Sequence, residues 1–238
     1  MSRYSLARHV FLCVDDGHVV LLDLKHDRYW ALEAAGTVSL SGLVPGWPVK
    51  PLHAPAAGSC DPAQAEEVIG VLSGRGILSG SEADGKSATP VQAIVAQREL
   101  LDSPGEPAAV PVGALLRFIA AAIAAKAALR MRSFASVIER VRKRNAAGAR
   151  TGGPDLVLAR ALVERFMRLR VFLFSAKDEC LFDSLALLNF LAWHGVFADW
   201  VFGVQARPFC AHCWVQLRDV VINDTIEHVT TYTPIMVA

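Results

Sequence analysis

The chain has 238 residues, of which 53% are apolar and 20% charged, with 24 bases against 23 acids. That length suits one large domain or two modest ones and buries enough surface to fold without disulfide staples. The apolar share excludes a mainly disordered chain, and a net charge of +1 argues against a general nucleic-acid binder. Five cysteines (13, 60, 180, 210 and 213), without a basic-then-apolar leader, are expected of a cytoplasmic protein with free thiols.

Residues 1–80 read as a small α+β module. Val10–Val14, Val19–Leu24 and Arg28–Leu32 read as three strands, the first two joined at the turn signal Asp15-Asp16-Gly17. Glu33–Leu43 reads as a helix. Pro45, Pro48, Pro51 and Pro55 then break regular structure. Asp61-Pro62 opens a second helix to about Ser73, with Ala65, Val68, Ile69 and Leu72 at helical spacing, and Ile77-Leu78 closes the module as a short strand. Residues 81–110, rich in Gly, Ser, Ala, Pro and acids, read as a linker, with a short helix expected at Val91–Leu101.

Residues 111–238 then form a larger domain. A helical pattern runs from Pro111 to Asn145 with a break near Arg132-Ser133, and another runs from Asp155 to about Leu169. The apolar stretch Pro107–Leu129 carries Arg117 and Lys126, so no membrane span is expected. Charge is uneven: residues 111–170 hold 13 bases against 3 acids, between acidic flanks. That segment reads as a solvated helix face or a docking surface. Leu181–Trp193 reads as a helix ended at Gly195 and Val196–Val204 as a strand. His212–Leu217 and Val220–Asp224 read as a hairpin.

The chemistry points to the last seventy or so residues. Cys180 stands at the first turn of a predicted helix, where free backbone N–H groups and the helix dipole favour a thiolate and can hold an oxyanion. Asp178 and Glu179 oppose this unless they point away as caps. A thiol nucleophile needs a base, and the base an orienting acceptor; His212 and Asp224 supply both on adjacent strands. If the two pair directly across the hairpin, the turn must hold three residues, Leu217–Asp219. A two-residue turn at Arg218-Asp219 sets them on opposite faces and counts against the pairing.

Other constellations are weaker. Cys210-Ala211-His212-Cys213 resembles half a zinc site, with Cys180, His194 and His228 the remaining candidate ligands, and no metal is expected. Gly148-Ala-Arg-Thr-Gly-Gly lacks the Gly-Lys-Ser/Thr ending of a phosphate loop.

These motifs resemble a known family. Cys-Leu-Phe-Asp-Ser-Leu-Ala-Leu at 180–187, Arg-Pro-Phe at 207–209, His-x-Trp-Val at 212–215 and Asn-Asp at 223–224 resemble the transglutaminase-like leader peptidases of lasso-peptide biosynthesis, the B proteins. The segment "LRMRSFASVIERVRKR" at 129–144 is similar to the basic helix before the peptidase core. The resemblance implies an α+β chain. Its N-terminal leader-recognition domain would be winged-helix-like, with three strands and three helices, and its C-terminal domain a transglutaminase-like (papain-like) cysteine peptidase.

It further implies Cys180 as nucleophile, His212 as base and acid, Asp224 as orienter, and hydrolysis between leader and core of a precursor peptide. A separate asparagine-synthetase-like, ATP-using cyclase would then close the ring and is the implied partner. No cofactor is expected for the peptidase itself; ATP dependence of proteolysis has been proposed in the family, without a site visible here. In the recognition domain, strand Arg28–Leu32 would accept an extended peptide on its free edge, with Trp30, Leu32, Val68 and Leu72 lining the groove. The chain departs from the family at Cys210, Cys213, Gln216 (often Glu) and Arg218-Asp219, a turn that usually carries Gly. An acyltransferase using the same residues, or a non-catalytic precursor-binding chaperone, are the alternative functions.

Overall fold

The computed structural model describes residues 4–48, 62–81, 84–100, 111–148, 156–170 and 180–238. Chain contacts divide it into two units. The first comprises Met1–Gln92 with Val204–Cys210 and Thr233–Met236. The second comprises Ala93–Gly203 with Ala211–Tyr232 and Val237–Ala238.

The first unit opens with β1 (Ser5–Ala7), followed by a meander of β2 (Val10–Asp15), β3 (His18–Asp23) and β4 (Arg28–Glu33) in the sheet order β2-β3-β4. Asp15 faces His18 across the first hairpin, so the turn is Asp16-Gly17. Both residues have positive φ (41° and 72°), the backbone that tight hairpins demand and that Asp and Gly tolerate. At the second turn the Asp23 carboxylate accepts the N–H groups of Lys25 (3.0 Å) and His26 (3.1 Å) and a hydrogen bond from His26 Nδ1 (2.6 Å). Alternate residues Val10, Leu12, Val19 and Leu21 bury one sheet face in the unit's core.

The segment expected as a helix at Glu33–Leu43 is a 3-10 helix, Ala35–Gly42, with no side-chain cap. Gly36, Thr37, Val38 and Gly42 are poor α-helix formers, which suits the tighter, short-lived turn. The next helix, α1 (Pro62–Gly74), is described from the expected proline onward; its expected cap, Asp61, lies outside the described residues. Gly76, at φ +69°, turns the chain into β5 (Leu78–Ser79). β5 and β6 (Gly85–Lys86) both pair antiparallel with β1. Glycine is required at 85, because a Cβ there falls 2.8 Å from the Leu6 carbonyl oxygen and closer still to Ser5. Strands therefore predominate in the described N-terminal residues. Of the three helices expected there, α1 and the 3-10 helix are the described counterparts.

Residues expected as linker supply strands to both units. β6 belongs to the first. In place of the helix expected at Val91–Leu101, the chain runs extended into β7 (Arg98–Glu99), which pairs parallel with β10 (Val220–Val221). The N–H groups of Gln97 and Arg98 both reach the Asp219 carbonyl, and the Arg98 guanidinium pairs with the Asp219 carboxylate. The backbone bonds a helix would have made are satisfied by that strand instead.

In the second unit, α2 (Val112–Met131) and α3 (Phe134–Gly148) break at the expected Arg132-Ser133, followed by α4 (Leu156–Arg170) and α5 (Cys180–Ala192). The aromatic rings of Phe118, Phe166 and Phe190 tie α2, α4 and α5 together, with ring centroids 5.2–6.5 Å apart. By length and composition α2 is apolar enough to cross a membrane, but Ala114, Phe118, Ala121, Ala122 and Ala125 form a buried face. A five-stranded sheet completes the chain in the order β11-β8-β9-β10-β7, with β8 (Asp199–Gln205), β9 (Cys210–Leu217), the one-turn helix α6 (Ile226–Val229) and β11 (Thr233–Val237).

Candidate active site

Helix α5 is described from Cys180 onward, the residue expected at its first turn, where N–H groups lack helical partners. Asp178 and Glu179 lie outside the described residues. The acid that is described in the first turn, Asp183, is buried and paired with Arg170 at 2.9 Å. Burial raises its carboxyl above the ordinary range, with Arg170 acting in the opposite direction.

The structure brings Cys180, His212 and Asp224 together. His212 Nε2 donates to Asp224 Oδ2 at 2.5 Å. That bond leaves Nδ1 for the Cys180 sulfur, with which the imidazole is in hydrogen-bond contact. Residue 213 provides two more contacts to the same sulfur, through its thiol and its backbone N–H. The Cys213 hydrogen bond is the foremost cause that brings the Cys180 thiol down to about 4, against burial and with help from His212. Burial alone would lower His212, but its bonds to Asp224 and Cys180 carry it up to about 9. Between those values the pair stands as thiolate and imidazolium, which supplies a charged nucleophile and a proton donor side by side.

The route by which Asp224 reaches His212 differs from the sequence expectation. Val220 pairs with Leu217 and Val221 with Gln216, so the turn is the two-residue Arg218-Asp219, with Arg218 at φ 57°. The ladder does not continue to Asp224. Ile222 N–H still reaches the Val215 carbonyl. The next ladder donor, Val215 N–H, is taken at 2.7 Å by the Asn223 side chain. β10 ends, the chain bends, and Asp224 is free of the strand alternation that would have turned it away.

Asp224 also accepts from Thr225 N–H at 2.8 Å and His228 Nδ1 at 3.0 Å. Burial would raise its carboxyl, but His212, Thr225 and His228 hold it below the usual range. His228 was legible in the sequence only as a possible metal ligand. Its place is set by α6, where Thr225 Oγ1 caps the helix by accepting His228 N–H. Tyr232 lies 5.2 Å from the His212 ring and Trp214 stacks at 6.1 Å.

The departures at 216 and 218 form one arrangement. The Gln216 amide donates to the carbonyls of Arg218 (2.6 Å) and Ile94 (2.7 Å) and accepts Trp214 Nε1 at 3.0 Å. A glutamate could not donate to either carbonyl. Gln216 thus closes the turn without glycine and fixes the indole beside His212.

A model of the transglutaminase-like superfamily matches residues 119–237. The chain belongs to the transglutaminase-like superfamily. No curated protein and no solved structure gives a match. The superfamily includes cysteine peptidases and acyltransferases, and both use a thiolate attacking a carbonyl.

Two described clusters have metal-ligand geometry, His212–Asp224–His228 and His9–Asp23–His26; neither contains the Cys-x-His-Cys thiols. In each cluster a histidine nitrogen is hydrogen-bonded to the carboxylate. Of the segment Gly148-Ala-Arg-Thr-Gly-Gly, residues 149–153 lie outside the described residues. Of the four residues expected to line a peptide groove, Trp30 and Leu32 on β4 and Val68 on α1 are partly buried against the core. The Arg75 guanidinium lies 3.9 Å over the Trp30 ring. Leu72 is 2% exposed and belongs to the core packing, because its position on α1 turns it inward with Ile69.

Proposed function

We propose that the protein is a cysteine peptidase that binds a ribosomally made lasso-precursor peptide and hydrolyses the bond between leader and core. The observation that carries the reading is the Cys180–His212–Asp224 contact chain on a transglutaminase-like fold, in the motif context that resembles the lasso B proteins. The Cys180 thiolate attacks the scissile carbonyl, and the oxyanion is held by first-turn N–H groups of α5. The His212 imidazolium gives its proton to the leaving amine of the core. The leader remains as a thioester on Cys180. Neutral His212 then takes a proton from water, and the resulting hydroxide releases the leader acid. Asp224 holds the ring orientation and favours the imidazolium.

Binding is assigned to the first unit. β4 is the terminal strand of the β2-β3-β4 sheet, and an extended leader segment adding to that edge would gain main-chain hydrogen bonds. Trp30, Leu32 and Val68 are the side chains offered to it. Leader binding and the asparagine-synthetase-like cyclase as partner follow from the resemblance.

The test uses the full chain with a precursor peptide encoded beside it. Wild type is expected to release free leader acid, and Cys180→Ala to bind the precursor with unchanged affinity but release none. Release by Cys180→Ala refutes the mechanism. A new amide between leader and an added amine, in place of leader acid, assigns the chain to acyl transfer instead.

A further inference from the structure

Cys213 neighbours His212 on β9, is 3% exposed, and neither makes nor breaks a bond in peptide hydrolysis, although its thiol helps to lower that of Cys180. Its sulfur nevertheless faces α5, 3.9 Å from Ser184 Oγ, and Ser184 stands four residues, one helical turn, from Cys180 on the same face of that helix. The two thiols are close enough for each to shift the other's ionisation. The site therefore holds two thiols against each other, one exposed enough to meet a small oxidant and one sheltered behind it.

We propose that Cys213 is the resolving thiol for Cys180, so that a peroxide converts the pair reversibly into a Cys180–Cys213 disulfide that holds the site inactive. This rests on the reading of Cys180 as a reactive thiolate. In the first step Cys180 attacks hydrogen peroxide; a sulfur–oxygen bond forms and the oxygen–oxygen bond breaks. The released hydroxide takes the His212 proton and leaves as water, with Cys180 as sulfenic acid. In the second step the Cys213 sulfur attacks the Cys180 sulfur. The sulfur–sulfur bond forms, the sulfur–oxygen bond breaks, and the hydroxide takes the Cys213 proton to leave as a second water. Two thiols have lost two electrons and the peroxide has gained them.

The order of events follows from the environment. Contact with the Cys180 thiolate, reinforced by burial, holds the Cys213 thiol protonated well above its ordinary range, so Cys213 does not meet oxidant first. Oxidation of Cys180 to a neutral sulfenic acid removes that negative charge, and Cys213 becomes easier to deprotonate when its target has formed. A disulfide here stops the nucleophile short of the sulfinic acid from which thiols do not restore it.

The experiment needs no peptide substrate. Full-length protein is treated with hydrogen peroxide, then with iodoacetamide, and analysed by intact mass and peptide mapping, with and without dithiothreitol. Wild type is expected to lose two hydrogens, to yield a Cys180–Cys213 cross-linked peptide, and to recover alkylation of Cys180 on reduction. Cys213→Ser and Cys213→Ala, each checked for a native melting transition, are expected to gain two oxygens at Cys180 and to recover nothing. A cross-link to exposed Cys210, or a wild type that reaches the sulfinic acid as fast as both variants, overturns the proposal. A cross-link in a protein that never cleaves a precursor leaves this inference standing and removes the proposed function. Cleavage without a cross-link does the reverse.

Discussion

Replacement of Asp224 by asparagine tests the electrostatics of the site most directly. Asp224 accepts hydrogen bonds from His212, Thr225 and His228, and its contact with His212 is the largest influence raising the imidazole to about 9. Asparagine keeps the size but loses the charge and one acceptor oxygen. A hydrogen bond to a charged group contributes about 1.5–3 kcal/mol, which at about 1.4 kcal/mol per unit lowers His212 by about one to two units.

The native imidazole is raised, so its proton is held at neutral pH and lost as pH climbs through about 9. The Cys180 thiol is lowered, so the thiolate is lost as pH falls through about 4. Alkylation by iodoacetate, whose carboxylate is drawn to an adjacent imidazolium, is therefore expected to follow a bell between those limbs in wild type. Because the limbs belong to the coupled pair, both are read from the same curve. In Asp224→Asn the alkaline limb is expected at about 7 to 8, the native value less the shift above. The acid limb, set first by Cys213, moves less. A variant profile that superimposes on wild type refutes the role given to Asp224.

Three further outcomes are expected. His228→Ala removes one donor from Asp224 and is expected to slow Cys180 alkylation at neutral pH by up to about tenfold, the worth of one modest hydrogen bond; stopped-flow alkylation measures it, and no change assigns His228 to the surface. Gly203→Ala puts a Cβ 2.8 Å from Tyr232 Cβ and 2.9 Å from the Trp214 ring. It is expected to cost about 1–3 kcal/mol in denaturant unfolding and, through the indole stacked on His212, to slow alkylation as well. Phe190→Ala empties the centre of the Phe118–Phe166–Phe190 cluster and is expected to cost about 3–5 kcal/mol; a loss below about 1 kcal/mol would mean the three helices are held elsewhere.

Local chemistry was legible in the sequence and long-range pairing was not. Asp16-Gly17 announces its own hairpin because only a few residues accept that backbone, and the apolar period after Cys180 announces the helix α5. The strands β5, β6 and β7 are two residues each and take their partners from distant parts of the chain, so no alternation is long enough to reveal them. The order Cys180, His212, Asp224 pointed to three residues that the fold draws together, but the hairpin arithmetic behind it assumes an uninterrupted ladder. One side chain, Asn223, replaces a ladder acceptor and cancels the parity rule. His228 escaped because its contact with Asp224 exists only once α6, a single turn, has formed.

The basic segment shows how a charge count divides when side chains are placed. Arg142 donates through Nε and Nη2 to the Val237 carbonyl at 3.3 and 2.8 Å, and Arg144 donates to Asn189 Oδ1 at 2.7 Å. Burial lowers both guanidinium groups, Arg144 to about 10, so both remain charged at neutral pH. A buried cation without an acceptor is costly; here each has one, and the acceptors belong to β11 and α5. These two bases of α3 therefore anchor it to the helix that carries Cys180 and to the terminal strand of the sheet that carries His212. Neither can be counted toward a docking face. Any acidic partner of this segment must read the exposed remainder, among them Lys126, Arg130 and Arg140, which lie on α2 and α3.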